Sequence, residues 1–209
     1  MFRDARLRPM SRLIWAMMAV GCSMQPPRIS VPSMDPDGAG SAAIAAYDKN
    51  GDSAISDDEL QAVPGLRAGM GLIDQNRDGR LTADEISKRI SDYQSSRIGL
   101  SSVQVNVMLD GRPLSGADVH LIPEEFLGTS IEAASGVTDQ HGTMNPRIES
   151  IDATGLRSGV YRITVSKKAA DGSESLPAKF NPATTLGTEI GPRSSAVANG
   201  SVELNLKSK

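Results

Sequence analysis

The chain has one cysteine, Cys22, in 209 residues, so no intrachain disulfide can form. Aromatic residues are scarce too: three Tyr, three Phe and one Trp. Phe2 and Trp15 fall in the N-terminal segment, which leaves five aromatics for a folded body. Its core must therefore be built from Val, Leu, Ile, Ala and Met. There are only two histidines, His120 in an alternating stretch and His141 in a turn-like one. Neither has a second His or Cys at ligand spacing, which favours structural roles for both. No nucleophile elbow, glycine-rich phosphate loop or HExxH helix is present, so an enzymatic reading has no catalytic constellation behind it. Basic residues do not dominate. The formal charge is −3, and the first 21 residues hold four arginines and one aspartate, leaving 18 basic against 24 acidic residues beyond them. A mildly acidic body argues against nucleic acid as a partner, since that needs Lys and Arg to replace phosphate counterions.

What is present is ordered along the chain. Residues 1–21 begin with Arg3, Arg6, Arg8 and Arg12, continue through the apolar "LIWAMMAV" and end on Gly21. This is the pattern of a secretory signal peptide. Eight apolar residues are too few for a membrane-spanning helix, which takes about 20. The other reading, a buried N-terminal helix, lacks an amphipathic period and runs at once into Pro-rich sequence. "AVGC" resembles a bacterial lipobox, with Ala19 where such boxes usually carry leucine. Export, lipidation of Cys22 and membrane anchoring at the cell envelope are the expectations. The alternative is an ordinary signal peptide releasing a soluble periplasmic or secreted protein. Residues 22–40, with four prolines and no apolar period, read as a tether.

Residues 41–100 read as helix, loop, helix, loop, helix. The first loop is "DKNGDSAISDDE". Asp48, Asn50 and Asp52 occupy positions 1, 3 and 5, Ala54 offers its carbonyl at 7, Ser56 stands at 9 and Glu59 at 12. The second is "DQNRDGRLTADE", with Asp74, Asn76, Asp78, the Arg80 carbonyl, Thr82 and Glu85 at the same positions. A tightly turned loop points alternate side chains inward. Calcium takes six to eight oxygens at about 2.3–2.6 Å, and a long glutamate at position 12 can reach back with both of its own. Both dodecamers resemble EF-hand loops, and their pairing 26 residues apart makes chance a poor explanation. Dockerin modules also pair calcium loops, but commonly close them with aspartate. Two Ca2+ sites are the expectation. Ile55 and Leu81, at position 8, can bridge the loops. Position 6 favours a left-handed backbone, which suits Gly79 and costs Ser53 about 1 kcal/mol, so loop 2 is expected to bind more tightly. In the joining piece Pro64 breaks a helical pattern, which predicts two short helices with Pro64 near the start of the second. Asp57 and Asp58 read as charges at the start of an exiting helix.

From residue 101 to 209 the period changes to alternation. Val103, Val105, Val107 and Leu109 share a face, as do Val119 and Leu121, as do Tyr161, Ile163 and Val165, and as do Val202, Leu204 and Leu206. One apolar and one wet face mark antiparallel strands. With "SGVTD", "TMNPRI", "PAKF" and "LGTEI" added, about seven strands form a β-sandwich. The expected fold class is α+β and multi-domain: an all-α EF-hand pair, then an all-β sandwich.

"DGRPLSGADVHLIPE", "SGVTDQHGTM", "SGVYRITVS" and "PAKFNPATTLG" resemble the hairpin, turn and late strands of carboxypeptidase regulatory-like or transthyretin-like sandwiches. With the signal and the loops, nearly the whole chain is similar to secreted planctomycete-type lipoproteins that join these parts. That resemblance implies an architecture and a cation but no reaction. The functional expectation is a calcium-binding, envelope-anchored, non-catalytic protein with a structural or interaction sandwich and a protein or glycan partner. The alternative is a peptide- or carbohydrate-binding adhesion module in which calcium is only structural.

Overall fold

A computed structural model describes residues 29–209. The signal-like segment, Cys22 and the first part of the expected tether lie outside the described residues. Helix α1 runs Pro36–Tyr47, and Asp35 caps it, its Oδ1 accepting the Gly38 N–H at 3.1 Å. Proline at the first helical position loses no hydrogen bond and has φ preset for the helix. The helix thus starts five residues before the expected boundary at 40/41, because Pro36 initiates it rather than extending a tether. Residues 29–35 also lie on the body. Met34 is buried, Gln94 donates to the Met34 carbonyl, and Arg157 donates to the Ser30 carbonyl.

Strand β1 (Ala54–Ile55) and helix α2 (Asp57–Leu60) follow the first loop, and helix α3 (Pro64–Ile73) begins on Pro64 as expected. Strand β2 (Leu81–Thr82) and helix α4 (Ala83–Ser95) follow the second loop. The two short strands pair antiparallel with Ile55 opposite Leu81, so this part is not purely helical.

The remainder is β3 (Gln104–Leu109), β4 (Arg112–Pro113), β5 (Asp118–Pro123), β6 (Ala134–Val137), β7 (Thr143–Met144), β8 (Arg147–Ile148), β9 (Ala153–Thr154), β10 (Gly159–Ser166), β11 (Leu186–Ile190), α5 (Ser195–Asn199) and β12 (Ser201–Leu206). One sheet has the order β11-β10-β5-β6-β8-β9; the other is β12-β3-β4, with β7 also on β3. The class is α+β. Three expectations for the strands change. "TMNPRI" is divided at Asn145-Pro146 between the two sheets, as β7 and β8. "PAKF" is a 3-10 turn over Ala178–Phe180, with Phe180 buried. Strand β12 pairs with β3 in parallel, not antiparallel. Alternation reports that a strand has two different faces, but not which way its neighbour runs.

The apolar faces of both sheets and of the helices join one continuous core. Tyr161, Ile163, Val119 and Leu121 of the larger sheet, Val105, Val107 and Leu204 of the smaller, and Leu66, Ile86, Ile90 and Tyr93 of the helices all belong to it. The boundary at 100/101 is therefore one of sequence period, not of packing. Helix α3 lies against β10 and β11 of the larger sheet.

Candidate metal centre

The two loops have the same internal wiring. In loop 1 the Asp48 carboxylate accepts the N–H groups of Gly51 and Ser53 at 2.7 and 2.8 Å. In loop 2 Asp74 accepts those of Arg77 and Gly79 at 2.6 and 3.0 Å. Asn50 and Asn76 each donate to the aspartate two residues on. The glutamate at position 12 closes each loop. Glu59 Oε1 reaches back to the Lys49 N–H at 2.8 Å and Oε2 accepts the Ser56 N–H at 2.8 Å; Glu85 does the same with Gln75 at 3.1 Å and Thr82 at 3.0 Å. Ser56–Glu59 and Thr82–Glu85 are both capping boxes, so one glutamate starts the exiting helix and shuts the loop. The donors from Ser56 and Lys49 hold the Glu59 carboxyl down at about 2, fully ionised near neutrality.

The backbone removes the reason expected for ranking the loops. Ser53 does sit in the left-handed region, at φ 65°, and Gly79 at φ 81°. Position 4 is left-handed as well, and there the loops reverse: Gly51 at φ 76° in loop 1, Arg77 at φ 63° in loop 2. Each loop has one glycine and one strained side-chain-bearing residue. Glycine content therefore gives neither loop an advantage.

These residues fit calcium by donor chemistry. Each loop offers two aspartates, a glutamate and an asparagine oxygen, a carbonyl at Ala54 or Arg80, and a hydroxyl at Ser56 or Thr82. All are hard oxygen donors, with no imidazole or thiolate among them. The carboxylates are tied to amides of their own loop rather than drawn to a point. Among the described residues no three His, Cys, Asp or Glu side chains form a ready-made cluster.

Support around the loops differs, and sequence reasoning missed it. The helices flanking loop 2 are gripped by two buried carboxylates from the sandwich. Glu189 of β11 accepts Arg89 Nε at 2.5 Å and the Tyr93 hydroxyl at 2.6 Å, while Arg89 also donates to the Pro192 carbonyl at 2.8 Å. Arg89 and Tyr93 are 1% and 0% exposed. Burial raises the Tyr93 phenol well above its ordinary pKa, so it is a neutral donor. Glu124, past the end of β5, caps helix α3: its Oε1 accepts the Gly65 N–H at 2.9 Å and its Oε2 the Arg162 guanidinium at 3.2 Å. The N-cap of α3, Val63, has no side chain to do this. Gly65 is required, because a Cβ there would stand 2.8 Å from the Tyr161 nitrogen. Loop 1 has less. Its exiting helix α2 has four residues, and its entering helix touches the sandwich through an edge-on contact of Tyr47 with Phe126, centroids 6.5 Å apart. A signal for Arg89 existed: it lies three residues from Ile86 and four from Tyr93, on the apolar stripe of α4.

The EF hand family profile matches residues 66–90, which is loop 2 with most of its two helices. This match supports calcium binding, with calcium as the ligand of that helix-loop-helix. Loop 1 lies outside the matched residues. No curated protein and no solved structure matches the chain.

Proposed function

We propose that this is an exported, envelope-anchored calcium protein in which both loops hold Ca2+ and the cation fixes the EF-hand pair onto a non-catalytic β-sandwich. Calcium supplies a dipositive centre for the oxygens of each loop. The chain supplies the rest: Glu59 and Glu85 close the loops, the β1–β2 ribbon ties them together, and Glu124 and Glu189 hold α3 and α4. The observation that carries the reading is this grip. A sensor hand must swing its helices apart to expose an apolar groove. Swinging α3 from α4 would here strip a buried carboxylate from the helix N-terminus or from Arg89. A structural clip follows, not a switch. Because a ligand bound only to the native state stabilises by mass action, the whole chain should melt at higher temperature with calcium, in a single transition. A melt indifferent to calcium and chelator, or a sandwich transition that ignores calcium, would sink the reading.

The signal-like segment and Cys22 support anchoring by an N-terminal lipid, as in the planctomycete-type lipoproteins the chain resembles. Replacing Cys22 by Ser should move the protein from the membrane to the soluble fraction; retention on the membrane would refute lipidation. The sandwich's own partner is a protein or a glycan. One observation favours an extended peptide: a polar cleft of about 550 Å³ between α3, β11 and β12, with Gly187, Thr188, Ser201 and Glu203 along it, bordered by edges of β11 and β12 that are unpaired among the described residues. Such edges accept a strand by main-chain hydrogen bonds. Peptide-array binding by the full chain that survives chelation would favour this second reading, with calcium only structural.

A further inference from the structure

The loops are wired alike inside, yet one side chain crosses between them. Arg80 is residue 7 of loop 2, where the backbone carbonyl is the ligand and the side chain is free to point elsewhere. Its guanidinium pairs with Oδ2 of Asp52, residue 5 of loop 1. Asp52 Oδ2 also accepts the Asn50 amide at 3.0 Å, and Oδ1 accepts the Ala54 N–H at 3.1 Å. Asp78, the counterpart in loop 2, has the same two partners, Asn76 at 2.9 Å and the Arg80 N–H at 2.9 Å. Among the described residues it has no ion-pair partner. The contact cannot be returned, because residue 7 of loop 1 is Ala54. Arg80 Nε is buried without a hydrogen-bond partner, and among the described residues Asp52 is the one carboxylate with which the guanidinium forms an ion pair.

We propose that Arg80 sets the calcium affinity of loop 1 from outside it, and makes it the weaker of the two sites. This rests on the reading that both loops bind calcium. The cause is electrostatic. A fixed positive charge beside Asp52 offsets one of the three carboxylates of loop 1, Asp48, Asp52 and Glu59, and opposes a dication arriving there. It also stabilises the cation-free loop, which lowers affinity further. Among the described residues no cation forms an ion pair with the three carboxylates of loop 2, and its Arg80 carbonyl does not depend on the side chain. The ranking of the loops then follows from a charge, not from Gly79 against Ser53.

The test is a calcium titration of the full chain as wild type, Arg80→Gln, Arg80→Lys and Ser53→Gly. The Ser53 and Gly79 amide NMR signals read loops 1 and 2 separately, since each donates to the first aspartate of its own loop. Arg80→Gln should tighten loop 1 by about two- to fivefold, the range an exposed charge contact supports, and change loop 2 by less. The gain should shrink from about 50 to about 500 mM salt as screening grows. Arg80→Lys, which keeps the charge, should stay close to wild type. Ser53→Gly should not close the gap between the loops. If loop 1 is unchanged or weaker in Arg80→Gln, or if lysine tightens it as much as glutamine, the role of Arg80 is overturned while calcium binding stands. If neither amide responds to calcium in the wild type, the two-site reading itself has failed, and the role of Arg80 with it.

Discussion

Loops 1 and 2 have the same ligand types at the same positions, yet they sit on different foundations. Loop 2 is strung between helices of ten and thirteen residues, one capped by Glu124 and the other bound to Glu189. Loop 1 leads into a four-residue helix and meets the sandwich through an aromatic edge. A dodecamer specifies which oxygens are offered. Neighbours a hundred residues away decide how firmly they are held, and calcium affinity depends on both.

The sharpest way to break this comparison is to remove one partner of the buried pair. Arg89→Ala or Glu189→Ala should cost about 3–5 kcal/mol, because the remaining charge loses its buried counter-ion. Urea unfolding measures the loss, and calcium affinity should fall more at loop 2 than at loop 1. An equal fall at both would mean that the ribbon, not the sandwich, supports the pair. The next largest effect is that of calcium itself. At a hundredfold excess over Kd, one site adds about 2.7 kcal/mol. Asp74→Ala should remove more of the calcium-dependent rise in Tm than Asp48→Ala does; the reverse order would make loop 1 the principal clip.

A third test uses pH. Burial raises the Glu124 carboxyl above its ordinary 4.5, so the folded state favours its protonated form. Its contribution is full below pH 4.5 and is lost as pH rises through the higher folded value. Glu124→Gln, which keeps an acceptor for the Gly65 N–H, should flatten the fall in stability from about pH 4.5 towards neutrality. An unchanged slope would show that the Arg162 pair already offsets the burial. The smallest effects concern the backbone. Ser53→Gly and Arg77→Gly should each add at most about 1 kcal/mol, by similar amounts. A clearly larger gain at Ser53 would restore glycine content as a reason for unequal loops.

Much of this was legible in the chain, for identifiable reasons. Calcium-type loops leave ligands at odd positions and a glutamate at the twelfth, so Asp48 to Glu59 and Asp74 to Glu85 can be read directly. Pro64 marks a helix start because it cannot stand inside one. The alternation in β3, β5, β10 and β12 is the period of a two-faced strand. The division of "TMNPRI" between sheets, the turn at Ala178–Phe180 and the parallel β12–β3 pairing are tertiary choices with no local period. The clamps were the hardest to see. A buried glutamate in "LGTEI" looks like any outward-facing polar residue until α3 and α4 are placed over that face. The absent cap at Val63 hints that some acceptor of another element is needed, but not which one.

The Glu124 and Glu189 contacts also set an order of events in the life of the chain. They join residues 59 and 100 positions apart, so the calcium hand cannot be completed from its own sequence. Helix α4 must wait for its anchor until almost the last strand has been made, and contacts of such long range slow folding. For the exported protein proposed above, this delay would have a use: the half that emerges first would stay unlocked until nearly all of the rest had followed. The same arrangement makes the C-terminal end fragile, since a chain broken off before residue 189 loses the anchor of a helix that ended almost a hundred residues earlier.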